Sequence, residues 1–412
     1  MKKTFALLIL ISTLSIVSFG QSSKDVSVAE VISKISRQQI MSYISELEGF
    51  GTRFVLAPNR FEVASWLKAQ FEEMGFTDVV LDSFQIHTEI TLPYTNRRVD
   101  TTTTQVNVIA TLRGTETPEE IFITCGHYDC FSQNSDQFLL APGADDNASG
   151  TTAVLETARA VMESDFQPKC TLKFICFAAE ELMNFGGSGS ETYAAQASAR
   201  GDDIKLIVNN DMVGNNSDYI INSIIGLGHP DNFPNVAMLF DLARNNCAIN
   251  VERQGYIGAD LRGFINHGYD GVYFEETNFS PFYHTYNDIS SNIDQLFITE
   301  SIKASCAVLV GMGRYLTDVE EEAPPTSFVL LQNYPNPFNP GTLIQYTVPE
   351  TEHIKLKVYN TLGEVVDVLV DETKTPGTHK VYFERNNLSS GVYLYTLETG
   401  NSRVSRKMIV LK

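Results

Sequence analysis

The residues of this chain best suited to chemistry are histidines and carboxylates, gathered in a few short stretches. His127-Tyr128-Asp129 comes first. Asp145 and Asp146 follow in Ala141-Pro142-Gly143-Ala144-Asp145-Asp146-Asn147-Ala148-Ser149-Gly150, then Glu180-Glu181, Asp211 and His284. Imidazoles mixed with carboxylates form the ligand set that suits zinc. Each residue also has a plainer reading. A helix-like run starts right after Gly150, and Asp or Asn at a helix start is an ordinary N-cap. His127 alone is a hydrogen-bonded strand end, and Glu180-Glu181 alone a solvated pair.

The elements around them favour a shared site. Short apolar runs at 121–125, 172–177 and 204–208 read as strands, and helical patterns lie between them. Such alternation predicts an α/β fold with a mainly parallel mixed sheet flanked by helices. Sites in these sheets form outside the carboxyl ends of the strands. His127, Glu180, Glu181 and Asp211 all follow directly on strand ends. Further helices are expected as a pair within 26–76 and singly at 234–246 and 294–316, with strands at 79–89, 106–112 and 272–274. The threonine run 101–104 is β-prone but has no evident role.

Taken together, the residues could hold two metals roughly 3.5–4 Å apart, the spacing that clamps both oxygens of a hydrolysis. Asp146 is the candidate bridge, with His127 and Asp211 on one metal and Glu181 and His284 on the other. Glu180, beside a ligand but turned from it, is the candidate general base. Asp129 is placed to orient the His127 ring.

His127-Tyr128-Asp129, the Gly143–Gly150 stretch, Ala178-Ala179-Glu180-Glu181, Asn210-Asp211-Met212 and Tyr283-His284-Thr285 resemble, in order, the five motifs of metallopeptidase family 28. That is the bacterial leucyl aminopeptidase family of co-catalytic dizinc exopeptidases, which also contains glutaminyl cyclase, a carboxypeptidase branch and the transferrin receptor ectodomain. The resemblance covers about residues 30 to 316. It implies the zinc exopeptidase fold, two zinc ions per chain, peptide substrates and the residue roles just given. It also implies a cis Asp146–Asn147 peptide. Tyr256 resembles a tyrosine that stabilises the oxyanion, though a structural tyrosine fits as well. One departure is Leu261, after Asp260, where the family often has histidine. Glutaminyl cyclase, carboxypeptidase and non-catalytic ectodomain readings stay open as alternatives to a secreted aminopeptidase.

The rest of the chain concerns address. Residues 1–20, with Met1-Lys2-Lys3 before an apolar run, read as a signal peptide. The peptidase domain is expected over 21–317, an acidic, proline-containing linker over 318–326 and a β-sandwich over 327–412. Leu331-Gln332-Asn333-Tyr334-Pro335-Asn336-Pro337, Val358-Tyr359-Asn360, Ser390-Gly391-Val392-Tyr393 and Lys407-Met408 resemble the type A sorting domain of the type IX secretion system. A sugar-binding or spacer β-domain is the alternative. The resemblance implies the secretion machinery as partner and an extracellular or cell-surface location reached via the periplasm. A net charge of −20 argues against nucleic acid as a partner. No segment after residue 20 reads as apolar enough to cross a bilayer. The six cysteines show no paired metal spacing, and Cys125, Cys170 and Cys176 lie in apolar runs that would bury them.

Overall fold

The computed structural model describes residues 26–215, 220–226, 236–252, 258–315, 328–333, 336–338, 341–384, 388–400 and 402–410. The expected signal peptide, the expected linker and Tyr256 lie outside these residues. The chain divides into two compact units, Met1–Thr317 and Asp318–Lys412.

Three helices open the first unit: α1 (Val28–Ile32), α2 (Arg37–Gly49) and α3 (Arg60–Glu73). One more is present than the sequence pattern predicts, because five-residue α1 is too short to show a period. It is held by a reciprocal capping box between Ser27 and Glu30. Helix α3 buries Val63, Ala64, Leu67 and Phe71. Phe61, although spaced to fall on that face, is exposed and lies under the Arg60 guanidinium.

Strands β1 (Val79–Thr91) and β2 (Arg98–Leu112) form a long antiparallel hairpin. The threonine run 101–104 is its outer arm, pairing with 85–88. The alternating unit follows: β3 (Thr117–His127), α4 (Gly150–Glu163), β4 (Cys170–Phe177), α5 (Gly189–Arg200) and β5 (Asp203–Asn210). Then come β6 (Ile220–Gly226), α6 (Val236–Asn245), β7 (Asn250–Glu252), α7 (Ala259–Asn266), β8 (Gly271–Glu276) and α8 (Gln295–Tyr315).

The eight strands form one sheet in the order β1-β2-β4-β3-β5-β8-β6-β7. The central strands β4, β3, β5 and β8 are mutually parallel. The sheet is mixed because β2 pairs antiparallel with β4 and β6 antiparallel with β8. One face packs on α4 and α8 through residues such as Val154, Val208, Phe274 and Leu309. The other packs on α5 and α7 through Ile175, Phe177, Tyr193, Ile207 and Phe264. Burial on both faces explains why the central strands read as unbroken apolar runs.

Helix α8 corrects one expectation. Gln295–Gly313 is long and apolar enough to cross a membrane by length and composition. In the fold it is a core helix, with 89% of that span buried. The six cysteines are all free, and Cys125, Cys170 and Cys176 are buried as expected.

The second unit contains β9 (Val329–Leu330), β10 (Gly341–Val348), β11 (Glu352–Tyr359), β12 (Val365–Lys374), β13 (Gly377–Glu384), β14 (Gly391–Glu398) and β15 (Arg403–Val410). They form a three-stranded sheet, β13-β10-β9, and a four-stranded sheet, β12-β11-β14-β15. Ile344, Tyr346 and Phe383 of the first pack with Leu356, Val358, Tyr395 and Leu397 of the second, as in a sandwich. Strands β9 and β10 were not anticipated.

Candidate metal centre

Three parallel strands deliver residues to one edge. His127 is the last residue of β3 and pairs in register with Phe177, the last of β4. Glu180 and Glu181 follow β4, and Asp211 follows β5. The loop after β8 brings His284. Asp146 arrives from the turn before α4, which bends sharply enough to need glycine: Gly143 has φ +56°, and a Cβ on Gly150 would meet the Asn210 carbonyl oxygen at 2.2 Å. The Asp146–Asn147 peptide is cis. Met212, Ala259 and His284, three of the six non-glycine residues with positive φ among those described, line the cavity here, and a fourth, Ala179, directly precedes Glu180. Such backbone collects at functional sites.

The geometry centres on one carboxylate. Asp146 Oδ1 lies 3.4 Å from His127 Nε2, and its Oδ2 lies 3.0 Å from His284 Nε2. His127 Nε2 is also 3.4 Å from Asp211 Oδ1, and His284 Nε2 is 3.0 Å from Glu181 Oε2. Two triads result, His127–Asp146–Asp211 and Asp146–Glu181–His284, each with ligand atoms within 4.8 Å of one another. Glu180 Oε2 stands further off, 3.9 Å from His127 Nε2. Of the residues singled out in sequence, the structure thus brings His127, Asp146, Glu180, Glu181, Asp211 and His284 together, with Asp129 behind them.

Asp129 orients the His127 ring through its backbone rather than through its carboxylate. His127 Nδ1 donates to its main-chain carbonyl at 3.1 Å, while its carboxylate lies 3.5 Å away. That carboxylate instead accepts the backbone N–H groups of Glu180 (3.1 Å) and Glu181 (3.2 Å). It fixes the turn that aims the two glutamates. Asp145 is turned away from the triads and accepts the N–H of Gly214 at 2.9 Å. The capping role falls to Asn147, whose Oδ1 accepts from Gly150 N–H at 2.7 Å.

Three supports were missed in sequence. The Asp288 carboxylate accepts the N–H groups of Asp145 and Asp146. It lies four residues after His284, a proximity that could have marked it. Buried Arg53 donates to the carbonyls of Tyr128 (2.8 Å) and Gly143 (2.7 Å), tying the His127 segment to the aspartate turn. Gln133 meets His284 Nδ1 at 3.2 Å. Nothing in the sequence marks Arg53 or Gln133.

These residues fit a metal. His127 Nε2, Asp211 Oδ1 and Glu181 Oε1 are buried with no hydrogen-bond partner among the described residues, and buried polar atoms are rarely left so. With Nδ1 donating to a carbonyl, the neutral ring turns a lone pair toward Asp146 and Asp211. Titration shows the same demand for positive charge at the site. Burial lowers the pKa of His127, but the charges of Asp211 and Glu180 and the close carboxylates of Asp129 and Asp146 raise it well above the ordinary value. His284, also opposed by burial, is pushed up to about 11 by Glu181 and Asp146. Burial and then the Asp146 charge push Glu181 up to about 7. So many carboxylates together call for positive charge, which bound cations supply.

Fold and site define a class: an α/β protein with a histidine–carboxylate metal-ligand cluster at the carboxyl edge of its sheet. Residues 107–309 match peptidase family M28, and residues 332–411 match the secretion system C-terminal sorting domain. The chain therefore carries a peptidase domain of family M28, a zinc metallopeptidase family, followed by a secretion sorting domain. It is 34% identical over 198 residues to a probable zinc metalloprotease of Pyrenophora teres f. teres, covering 46% of this chain and 42% of that one. It thus spans less than half the length of that relative. It is 27% identical over 292 residues to a probable leucine aminopeptidase of Trichophyton verrucosum, covering 66% and 70%. The fold is similar to that of an aminopeptidase from Aneurinibacillus sp. strain AM-1, with TM-score 0.55, 17% identity and coverage of 68% and 95%. It is also similar to that of LapB from Legionella pneumophila, with TM-score 0.55, 22% identity and coverage of 69% and 74%.

Proposed function

We propose that the protein is a secreted dizinc aminopeptidase that removes N-terminal residues from peptides. The observation that carries the reading is the shared Asp146 carboxylate, one oxygen toward each histidine. His127 and Asp211 would hold one zinc, Glu181 and His284 the other, with Asp146 common to both. Bound zinc polarises a scissile carbonyl and makes a water molecule easier to deprotonate.

The chain's own residues do the rest. Glu180 takes the proton of the attacking water and passes it to the leaving amine. Burial first, then the charges of Asp211 and Glu181, raise its pKa well above the ordinary value against the pull of His127. A carboxylate so placed is a better base than one in water. Asp129 holds Glu180 in place through the backbone and orients His127 through its carbonyl. The reacting peptide would sit in the cavity of about 460 Å³ that Asp146, Glu180 and Asp211 line.

The C-terminal sandwich serves export in this reading. The signal peptide carries the chain to the periplasm, and type IX machinery recognises residues 332–411 and takes it to the surface or medium. Metal analysis together with assays on leucyl peptides, glutaminyl peptides and peptides offering only a free C-terminus tests the proposal. Zinc content with release from leucyl peptides alone supports it. Cyclisation of glutaminyl peptides, or release from the C-terminus, replaces it with another activity of the same fold.

A further inference from the structure

One wall of the cavity carries a carboxylate that the proposed chemistry leaves unused. Glu275 follows Phe274, whose carbonyl accepts the Asp211 N–H at 3.1 Å, so it stands beside Asp211 at the sheet's carboxyl edge. It belongs to neither metal triad. Only 7% exposed, it lines the same cavity as Asp146, Glu180 and Asp211. The Tyr273 hydroxyl donates to its Oε1 at 2.7 Å. Tyr273 is packed into the layer with Leu261 and Phe264, so the carboxylate is held from below.

No basic side chain among the described residues pairs with Glu275. Arg262, the guanidinium on this wall, donates instead to Asn184 at 3.2 Å. A carboxylate withdrawn from water beside like charges, with one neutral donor, is unfavourable until a cation reaches it. The cavity also has apolar walls, including Ile90, Phe131, Met212 and Phe279. An aliphatic stem ending in a positive charge matches such a lining.

We propose that Glu275 binds a positively charged nitrogen on the N-terminal residue of the substrate, either its α-ammonium or the side-chain cation of lysine or arginine. The assignment rests on the aminopeptidase reading and deepens it: Glu275 selects the substrate, while Glu180 acts on the bond.

The test uses the full-length, zinc-loaded protein and its Glu275→Gln variant with lysyl and norleucyl 7-amido-4-methylcoumarin. Norleucine has the stem of lysine without the amine. If the side-chain cation is bound, the substitution raises KM for the lysyl substrate about tenfold or more, the usual size for a charge-assisted contact, and leaves the norleucyl KM alone. If the α-ammonium is bound, both KM values rise together. In either case kcat changes little. KM values within about twofold of wild type for both substrates, or a fall in kcat at unchanged KM, overturn the assignment. A wild-type protein that binds zinc but cleaves neither substrate refutes the aminopeptidase reading. Calorimetry with lysinamide and norleucinamide then decides on Glu275, and equal binding by wild type and variant overturns it. Should Glu275→Gln not fold, Glu275→Asp keeps the charge but withdraws it by one methylene. It should give the same pattern at reduced size, and unchanged KM values there overturn the proposal as well.

Discussion

Asp288 Oδ2 accepts the backbone N–H of Asp146 at 3.0 Å. The bond runs from the loop after His284 to the turn that delivers Asp146, so the loop that carries His284 braces the residue common to both candidate triads. Asp288→Ala should weaken zinc affinity by about 10–100-fold, the usual cost of losing an outer support. Competition with a chelator measures it. With saturating zinc, KM for a leucyl substrate should be unchanged.

Glu180→Gln keeps the shape of the side chain but not its basicity. Metal content should match wild type, while kcat should fall by about 10²–10⁴-fold. Loss of metal in this variant would show that Glu180 and Glu181 have exchanged roles.

Removing the metal should make stability depend on pH in a definite direction. Burial, as the leading cause, pushes Asp145, Glu181, Asp260 and Glu275 up to about 7. Free carboxyl groups titrate near 4, so between about 4 and 7 the folded chain holds protons that the unfolded chain has released. The stability is therefore fully present below the unfolded value and is lost as pH rises through the folded one. The Tm of chelated protein should fall from about pH 5 to about pH 8, and zinc should flatten that slope. Calorimetry with and without zinc checks both.

The C-terminal unit should be an address and not part of the catalyst. All the proposed ligands precede residue 318, and the acidic stretch after it is a natural place to cut. Truncation after Thr317 should leave peptidase activity within a few-fold of the full chain, measured on purified protein. In the native host the truncated protein should stay in the periplasm. Its appearance in the medium would contradict the sorting role.

Much of the site was legible because metal ligation restricts residue types. His127, Glu180, Glu181 and Asp211 could be placed at strand ends because the central strands are apolar on both faces and their limits are plain. His284 and Asp146 sit in loops, where no periodicity helps, and the motif order identified them. Arg53 was beyond reach because its work is done through carbonyl groups far away in sequence. Glu275 was hidden by the strand that holds it, since Glu275-Glu276 reads simply as the polar end of an apolar run. The alternation that places Tyr273 and Glu275 on one face of β8 becomes visible only once the strand and its neighbours are known. Strand β1 and the inner half of β2 were legible, while the outer arm of β2, residues 98–105, escaped because it is polar.

Anomalous diffraction at the zinc absorption edge, from crystals of zinc-loaded protein, most directly tests whether Asp146 is shared by two metals. Two peaks are predicted, one between His127 and Asp211 and one between Glu181 and His284, with an Asp146 oxygen against each. A single peak, or two peaks of which only one touches Asp146, would contradict the shared-carboxylate centre.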